Sequence, residues 1–276
     1  MRLTPVYGEA APISFDGEPD DQAEPVARQR RRFAALLASL DDEQWRAPTR
    51  CDGWSALEVT AHLVTVNTFW ESSVRAGMAG TPTQVLATFD PAAHPPLLIA
   101  SMRTLAPAEV LEQFERSNAG LLDALASLRG DDWSVLGEAP PGHVPMRVLA
   151  QHALWDSWVH ERDVAVPLGL TTAVEADEVA SCLRYAAAIG PYLMRASGQT
   201  MHGTFGVVSD APECTFTLTV DDGVAITASA PPPSAPCLRG DAVELVDALS
   251  VRAPLPHDAP PEWHALVRTL ATVFDQ

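Results

Sequence analysis

The chain has 276 residues, 47% of them hydrophobic, enough for one large domain or two modest ones with buried cores, and two is the expectation. A formal net charge of -18 argues against a nucleic-acid partner, since only Arg28, Arg30, Arg31 and Arg32 cluster, and that run reads as the solvated face of one helix. No stretch approaches the roughly 20 apolar residues of a membrane span, and the N-terminus lacks the basic start and apolar run of a signal peptide, so a cytoplasmic protein without membrane partners is expected.

Residues 1–23 carry Pro5, Pro12, Pro19 and the run Gly17-Glu18-Pro19-Asp20-Asp21, and read as a flexible N-terminal extension. From Glu24 to Leu40 the spacing of Val26, Phe33, Leu36, Leu37 and Leu40 predicts an amphipathic helix with proline in its first turn. Ser55-Ala56-Leu57-Glu58 is a capping-box signature that starts a second helix running to about Ala76. Residues 77–104, rich in proline, read as an irregular connection able to cover a site. A third helix is expected from Pro107 to Leu128, ended by Gly130, and a fourth from Pro145 to Val166, ended by Pro167-Leu168-Gly169.

After residue 170 the pattern changes. One helix over 174–197 precedes strand-like segments at 202–208, 213–220 and 224–228, with Asp221-Asp222-Gly223 as a hairpin turn. Helical spacing returns over 240–250 and 260–275. The expected fold is therefore α+β, with a four-helix bundle over 24–170 followed by a smaller α+β domain over 171–276. Cys51, Cys182, Cys214 and Cys237 are too widely spaced for a disulfide framework and read as reduced thiols.

Two places carry metal-ligand chemistry. His62 lies two turns into the second helix, and the fourth contains His152, Asp156 and His160 as an i, i+4, i+8 stripe. A carboxylate and two imidazoles suit a divalent cation and leave a coordination position open. Spacing does not decide which pair on the fourth helix would serve, and His152 can equally be a residue that orients a ligand. A carboxylate between Trp155 and Trp158 needs a cationic partner, for which Arg162 and a metal are the candidates. Glu161, Arg162 and Asp163 fall off the stripe and read as ion pairs or inter-helix contacts. Phosphate-binding glycine loops, a Gly-x-Ser-x-Gly elbow and His-Glu-x-x-His are absent from the sequence.

The runs Pro48-Thr49-Arg50-Cys51-Asp52-Gly53-Trp54-Ser55, Ala61-His62-Leu63 and Trp155-Asp156-Ser157-Trp158-Val159-His160-Glu161-Arg162-Asp163, with Pro167-Leu168-Gly169, resemble the mycothiol-dependent maleylpyruvate isomerase family, within the DinB-like group of metal-binding four-helix bundles. The resemblance covers residues 24–170 and continues more weakly into a C-terminal part similar to sterol-carrier folds. It implies His62, Asp156 and His160 as metal ligands, Asp156 standing where members often have glutamate. It further implies an active-site arginine from the C-terminal part, Arg252 by motif position or Arg239. The implied cofactors are a divalent metal, zinc first with iron, nickel or manganese as alternatives, and mycothiol or another small thiol as cosubstrate.

On that resemblance the expected activity is thiol-dependent transfer to, or cis-trans isomerisation of, an electrophilic small molecule by a monomer or weak homodimer. A metal-dependent hydrolase and a non-catalytic small-ligand binding protein are the alternatives.

Overall fold

The first regular element of the computed structural model, which describes residues 4–8, 11–16, 22–196, 198–199 and 201–274, lies where the sequence suggested none. Ile13–Asp16 forms strand β1, with Ile13 and Phe15 buried and Asp16 exposed in a period of two. Val6 also bridges Gly142, and Tyr7 donates a hydrogen bond to Glu138 (2.7 Å). The described part of the expected flexible extension is thus docked, because its alternate apolar residues complete a sheet edge. The run at residues 17–21 lies outside the described residues.

Helix α1 (Ala23–Ala38) is followed by the short α2 (Asp42–Arg46), and then by α3 (Ala56–Met78), which starts at the Ser55–Glu58 capping box. Residues 77–104 hold two 3₁₀ turns and the short α4 (His94–Leu98). Next come α5 (Pro107–Ala126), the hairpin β2 (Leu136–Ala139) and β3 (Gly142–Pro145), and α6 (Met146–Ala165). Helices α1, α3, α5 and α6 form the bundle: α3 packs on α5 and α6, and α1 on α5 and α6. The hairpin escaped the sequence reading because Pro140-Pro141 signals a turn while each strand has only four residues.

The C-terminal part comprises α7 (Ala176–Ala196), strands β4 (Gly203–Asp210), β5 (Glu213–Val220), β6 (Val224–Thr227) and β7 (Cys237–Gly240), and helices α8 (Ala242–Leu249) and α9 (Pro261–Phe274). The sheet order is β1-β6-β5-β4-β7. β1 joins parallel to β6, pairing Ile13 with Val224, and β7 joins parallel to β4, pairing Leu238 with Val207. Both edge strands were invisible to pattern reading, since a four-residue parallel strand has no hairpin turn to announce it.

Helix α6 is buried on nearly every side, between α1 and α3 on one flank and α7 on the other. One apolar cluster runs from Trp70, Leu121 and Trp158 of the bundle to Phe216, Leu218 and Trp263 of the C-terminal part. The same enclosure corrects the expectation of a solvated arginine face on α1. Arg30 is fully buried, while Arg28 and Arg32 pair with Glu178 (both at 2.8 Å), and Arg32 also pairs with Glu161 (2.9 Å). That flank of α1 packs against α6 and α7 rather than water.

Candidate metal centre

Helix α3 carries His62 to the bundle wall, and α6 presents Asp156 and His160 one turn apart on the facing side. Asp156 Oδ1 lies 3.9 Å from His62 Nε2 and 3.6 Å from His160 Nε2. The potential ligand atoms of the three residues all fall within 4.8 Å of one another. Those separations exceed a hydrogen bond, yet they approach the roughly 3.4 Å between two donors bound at about 2.0–2.1 Å to one tetrahedral ion. The three side chains keep 17%, 15% and 12% of their surface exposed, so the cluster opens to solvent on one side. The indole of Trp54, from the loop before α3, meets the His62 ring edge-on at 5.6 Å.

The donor set fits a divalent cation on a further ground. Asp156 Oδ2 is buried and has no hydrogen-bond partner among the described residues, a costly state for a carboxylate that a bound cation would relieve. Burial alone would raise the pKa of Asp156, but His62 and His160 outweigh it and hold the carboxyl well below the usual carboxylate range. Arg162, the alternative partner expected from sequence, points away: it reaches Asp247 (3.3 Å) and lies over the Trp158 ring.

Behind His160 stands a second layer. Asp163 Oδ2 lies 3.0 Å from His160 Nδ1, and because an ionised carboxylate only accepts, Nδ1 carries the hydrogen of this contact and Nε2 is the nitrogen turned towards Asp156. The Asp163 carboxylate is itself gripped by Arg252, through Nε to Oδ1 (2.9 Å) and Nη2 to Oδ2 (3.1 Å), and by Arg50 Nε (2.9 Å). Burial opposes its ionisation, but His160 and Arg252 hold its pKa far below the ordinary value. Arg50 also pairs with Asp247 (3.0 Å), which ties the loop before α3 to α8.

Cys51 completes this layer, 3.1 Å from Asp163 Oδ2, 3.6 Å from His160 Nδ1 and 3.5 Å from Arg252 Nη2. Cys51, His160 and Asp163 form a second group close enough to hold an ion. Their contacts lie near hydrogen-bonding distance and Asp163 is already committed to two guanidinium groups, so this group braces the first. For His160, burial opposes the charge, but Cys51 and Asp163 prevail and raise the pKa to about 10. A cation binding at Nε2 therefore displaces a proton.

The two arginines expected from sequence part company. Arg252 reaches the cluster from just beyond α8, following Val251 in the left-handed region (φ 60), an unusual conformation for a β-branched residue. Its Nη1 donates to Ser250 O (3.3 Å), while Trp155 Nε1 donates to Ser250 Oγ (2.8 Å) and fixes this turn against α6. Arg239 is exposed on β7. His152, one turn before Asp156, is buried outside the group of three, with Nδ1 against the Tyr185 hydroxyl and its ring packed on Trp70, Trp155 and Tyr185. Burial lowers its pKa to about 4, so it is neutral at ordinary pH. Sequence reasoning did not place Cys51 or Arg50 at the site, and it read Asp163 as an ion pair or inter-helix contact, which its bonds to Arg50 and Arg252 bear out; the i, i+3 spacing of His160 and Asp163 was the one signal of its further contact with the histidine.

Residues 26–165 match the family described as the mycothiol maleylpyruvate isomerase N-terminal domain. Among solved structures, the crystal structure of the mycothiol-dependent maleylpyruvate isomerase is similar with a TM-score of 0.58 and 20% identity, covering 90% of this chain and 98% of that one. A histidine-to-alanine mutant of the same isomerase gives a TM-score of 0.59 and 19% identity, with the same coverage. The likeness extends through the C-terminal part, and at that identity it establishes the fold. No curated protein matches the sequence.

Proposed function

The chain belongs to the mycothiol maleylpyruvate isomerase N-terminal domain family, and from that premise we propose a metal-dependent enzyme that uses mycothiol or a similar small thiol to isomerise an electrophilic unsaturated molecule, or adds that thiol to it through sulfur. The observation that carries this reading is the convergence of His62, Asp156 and His160 on one solvent-facing point beside an unpartnered Asp156 oxygen. These three are the proposed ligands, with zinc the first candidate. A divalent cation there would lower the pKa of a small thiol so that the nucleophilic thiolate is present at neutral pH.

The chain's own residues prepare that chemistry. Asp163 fixes the hydrogen of His160 on Nδ1, and Arg252 and Arg50 hold Asp163 in place. Arg252 thus acts as a brace for Asp163, with most of its donors already taken. His152, neutral and locked against Tyr185, supports the α6 turn that presents Asp156. The bundle supplies the ligands and the C-terminal part supplies the brace, which gives both proposed domains a share in the site.

The thiolate sulfur forms a bond to an alkene carbon conjugated to a carbonyl, and the π pair moves to the carbonyl oxygen. Rotation about the former double bond and return of the electron pair expel the thiolate and leave the trans isomer, with no net consumption of thiol. For S-transfer, protonation of the neighbouring carbon retains the thioether.

The test is conversion of maleylpyruvate by the purified protein with and without mycothiol, before and after treatment with a chelator. Turnover that needs both thiol and metal is expected. Thiol-independent turnover, or hydrolysis in place of isomerisation or addition, would overturn the proposal.

A further inference from the structure

Glu58, His62, Val66, Phe69 and Ser73 follow one another on α3 at steps of three or four and so share one face of that helix. Val66 and Phe69 are only partly buried, so the stripe that presents His62 stays partly open along its middle. Residues 77–104 are pinned at both ends of this stripe. At one end Ser73 Oγ donates to Glu138 O (2.9 Å) and accepts from Glu138 N (2.7 Å), while the buried Glu138 carboxylate accepts from the backbone N–H groups of Val85 (2.9 Å) and Leu86 (2.7 Å). At the other end Arg103 pairs with Glu58 (2.9 Å), and Ile99 and Met102 are buried in the apolar core of the bundle.

Between the anchors the packing lapses. None of residues 87–98 is buried, and the stretch bonds to itself: Asp90 accepts from the N–H groups of Ala92 (3.0 Å) and Ala93 (3.1 Å), and its own N–H donates to His94 Nδ1 (3.1 Å). Pro95 and Pro96 stiffen the first turn of α4, which lies against α3 and leaves Leu97 and Leu98 70% and 53% exposed. Two adjacent leucines in water, on a helix with no buried residue, form a surface that another state of the molecule can cover. The helix from Glu58 to Ser73 spans about 22 Å, whereas the chain from Leu86 to Arg103 reaches about 56 Å when extended, so the strap has slack to move with both anchors in place.

The chemistry at the cluster gives that movement a use. Between addition and expulsion of the sulfur, the substrate is a thioether enolate whose carbon water can protonate. Protonation traps the thioether, whereas exclusion of water lets the electron pair return and expel the thiolate. We infer that residues 87–98 are a lid that closes over the thiol-bound cluster, with Leu97 and Leu98 as its inner apolar face, and that closure sets the partition between isomerisation and retained S-transfer. The lid rests on the thiol-enzyme reading and assigns the two outcomes of that chemistry to named residues.

Deuterium exchange on metal-loaded protein, with and without saturating mycothiol, reads the lid apart from turnover. Amides of residues 87–98 should exchange at least about fivefold more slowly with mycothiol bound, while those of the anchored residues 83–86 should be unaltered. Leu97→Ser combined with Leu98→Ser should abolish that protection and raise the share of thioether adduct among the products of maleylpyruvate turnover at least about threefold. Leu97→Met combined with Leu98→Met should keep the wild-type ratio. Both leucines are exposed, so metal content and thermal midpoint should match wild type in either double variant. Exchange unaffected by mycothiol, or an unchanged product ratio in the serine variant, would overturn the lid even where turnover needs both thiol and metal. Protection by mycothiol in a chain that turns nothing over would instead overturn the enzyme reading, and with it the partition, while the closing lid stands.

Discussion

His160 and Asp163, three residues apart on α6, meet through Nδ1 and Oδ2 at 3.0 Å, and the same carboxylate receives Arg252 from the C-terminal part. This contact decides which imidazole nitrogen faces the cluster. Asp163→Asn should therefore loosen the grip on the cation by about 10- to 100-fold, measured by competition with a colorimetric chelator. Unchanged affinity would mean that His160 keeps its orientation without Asp163.

Arg252 closes the link between the bundle and α8. Arg252→Met leaves the buried Asp163 with one guanidinium partner instead of two, and should cost about 2–3 kcal/mol in urea unfolding after discounting for the 15% exposure of the arginine. Arg239→Ala, at an exposed position on β7, should change stability by less than about 0.5 kcal/mol and leave metal content intact. Equal effects from the two variants would contradict the assignment of the brace to Arg252.

His152 predicts a pH dependence of stability. Its folded pKa, about 4, lies below the ordinary 6.5, so the unfolded chain binds the extra proton first and stability falls as pH drops from 6.5 towards 4. The full loss from this group is roughly 3 kcal/mol. Urea unfolding of wild type and His152→Phe at pH 7.5 and pH 5 should show a smaller acid loss in the variant. Asp156 and Asp163, both depressed, keep their contribution at pH 5 and above and lose it only as pH falls through the ordinary carboxylate range, while His160, raised to about 10, loses its contribution as pH rises above 6.5 in wild type and variant alike, so the difference between the two proteins isolates His152.

The N-terminal strand should carry measurable stability. Ile13 is fully buried against the β6 edge, and Ile13→Ala should cost about 2–5 kcal/mol by chemical unfolding. A loss below about 0.5 kcal/mol would show that residues 13–16 dock only loosely.

The sequence made the long helices and the cluster legible for distinct reasons. Ser55 with Glu58, and Pro167 after Val166, are local signals that mark the ends of α3 and α6 without tertiary information. The four-residue steps of His152, Asp156 and His160 marked α6 as a ligand-bearing helix, and the family resemblance, not the spacing, singled out Asp156 and His160 with His62. β1 and β7 stayed hidden because each is short and joins a sheet partner far along the chain. Arg30 was misjudged because a charge run looks solvated until the packing of α1 against α6 and α7 is known; Asp163 does form the ion pairs expected of it, with Arg50 and Arg252, and only its hold on His160 stayed hidden.

The central claim is that His62, Asp156 and His160 hold one ion between them, and elemental analysis of purified protein dialysed against trace zinc measures it directly. About one ion per chain is predicted for wild type, falling to less than a tenth in His62→Ala and His160→Ala while both variants remain folded. A wild-type chain that retains no metal, or a His62→Ala chain that retains as much as wild type, would contradict the account.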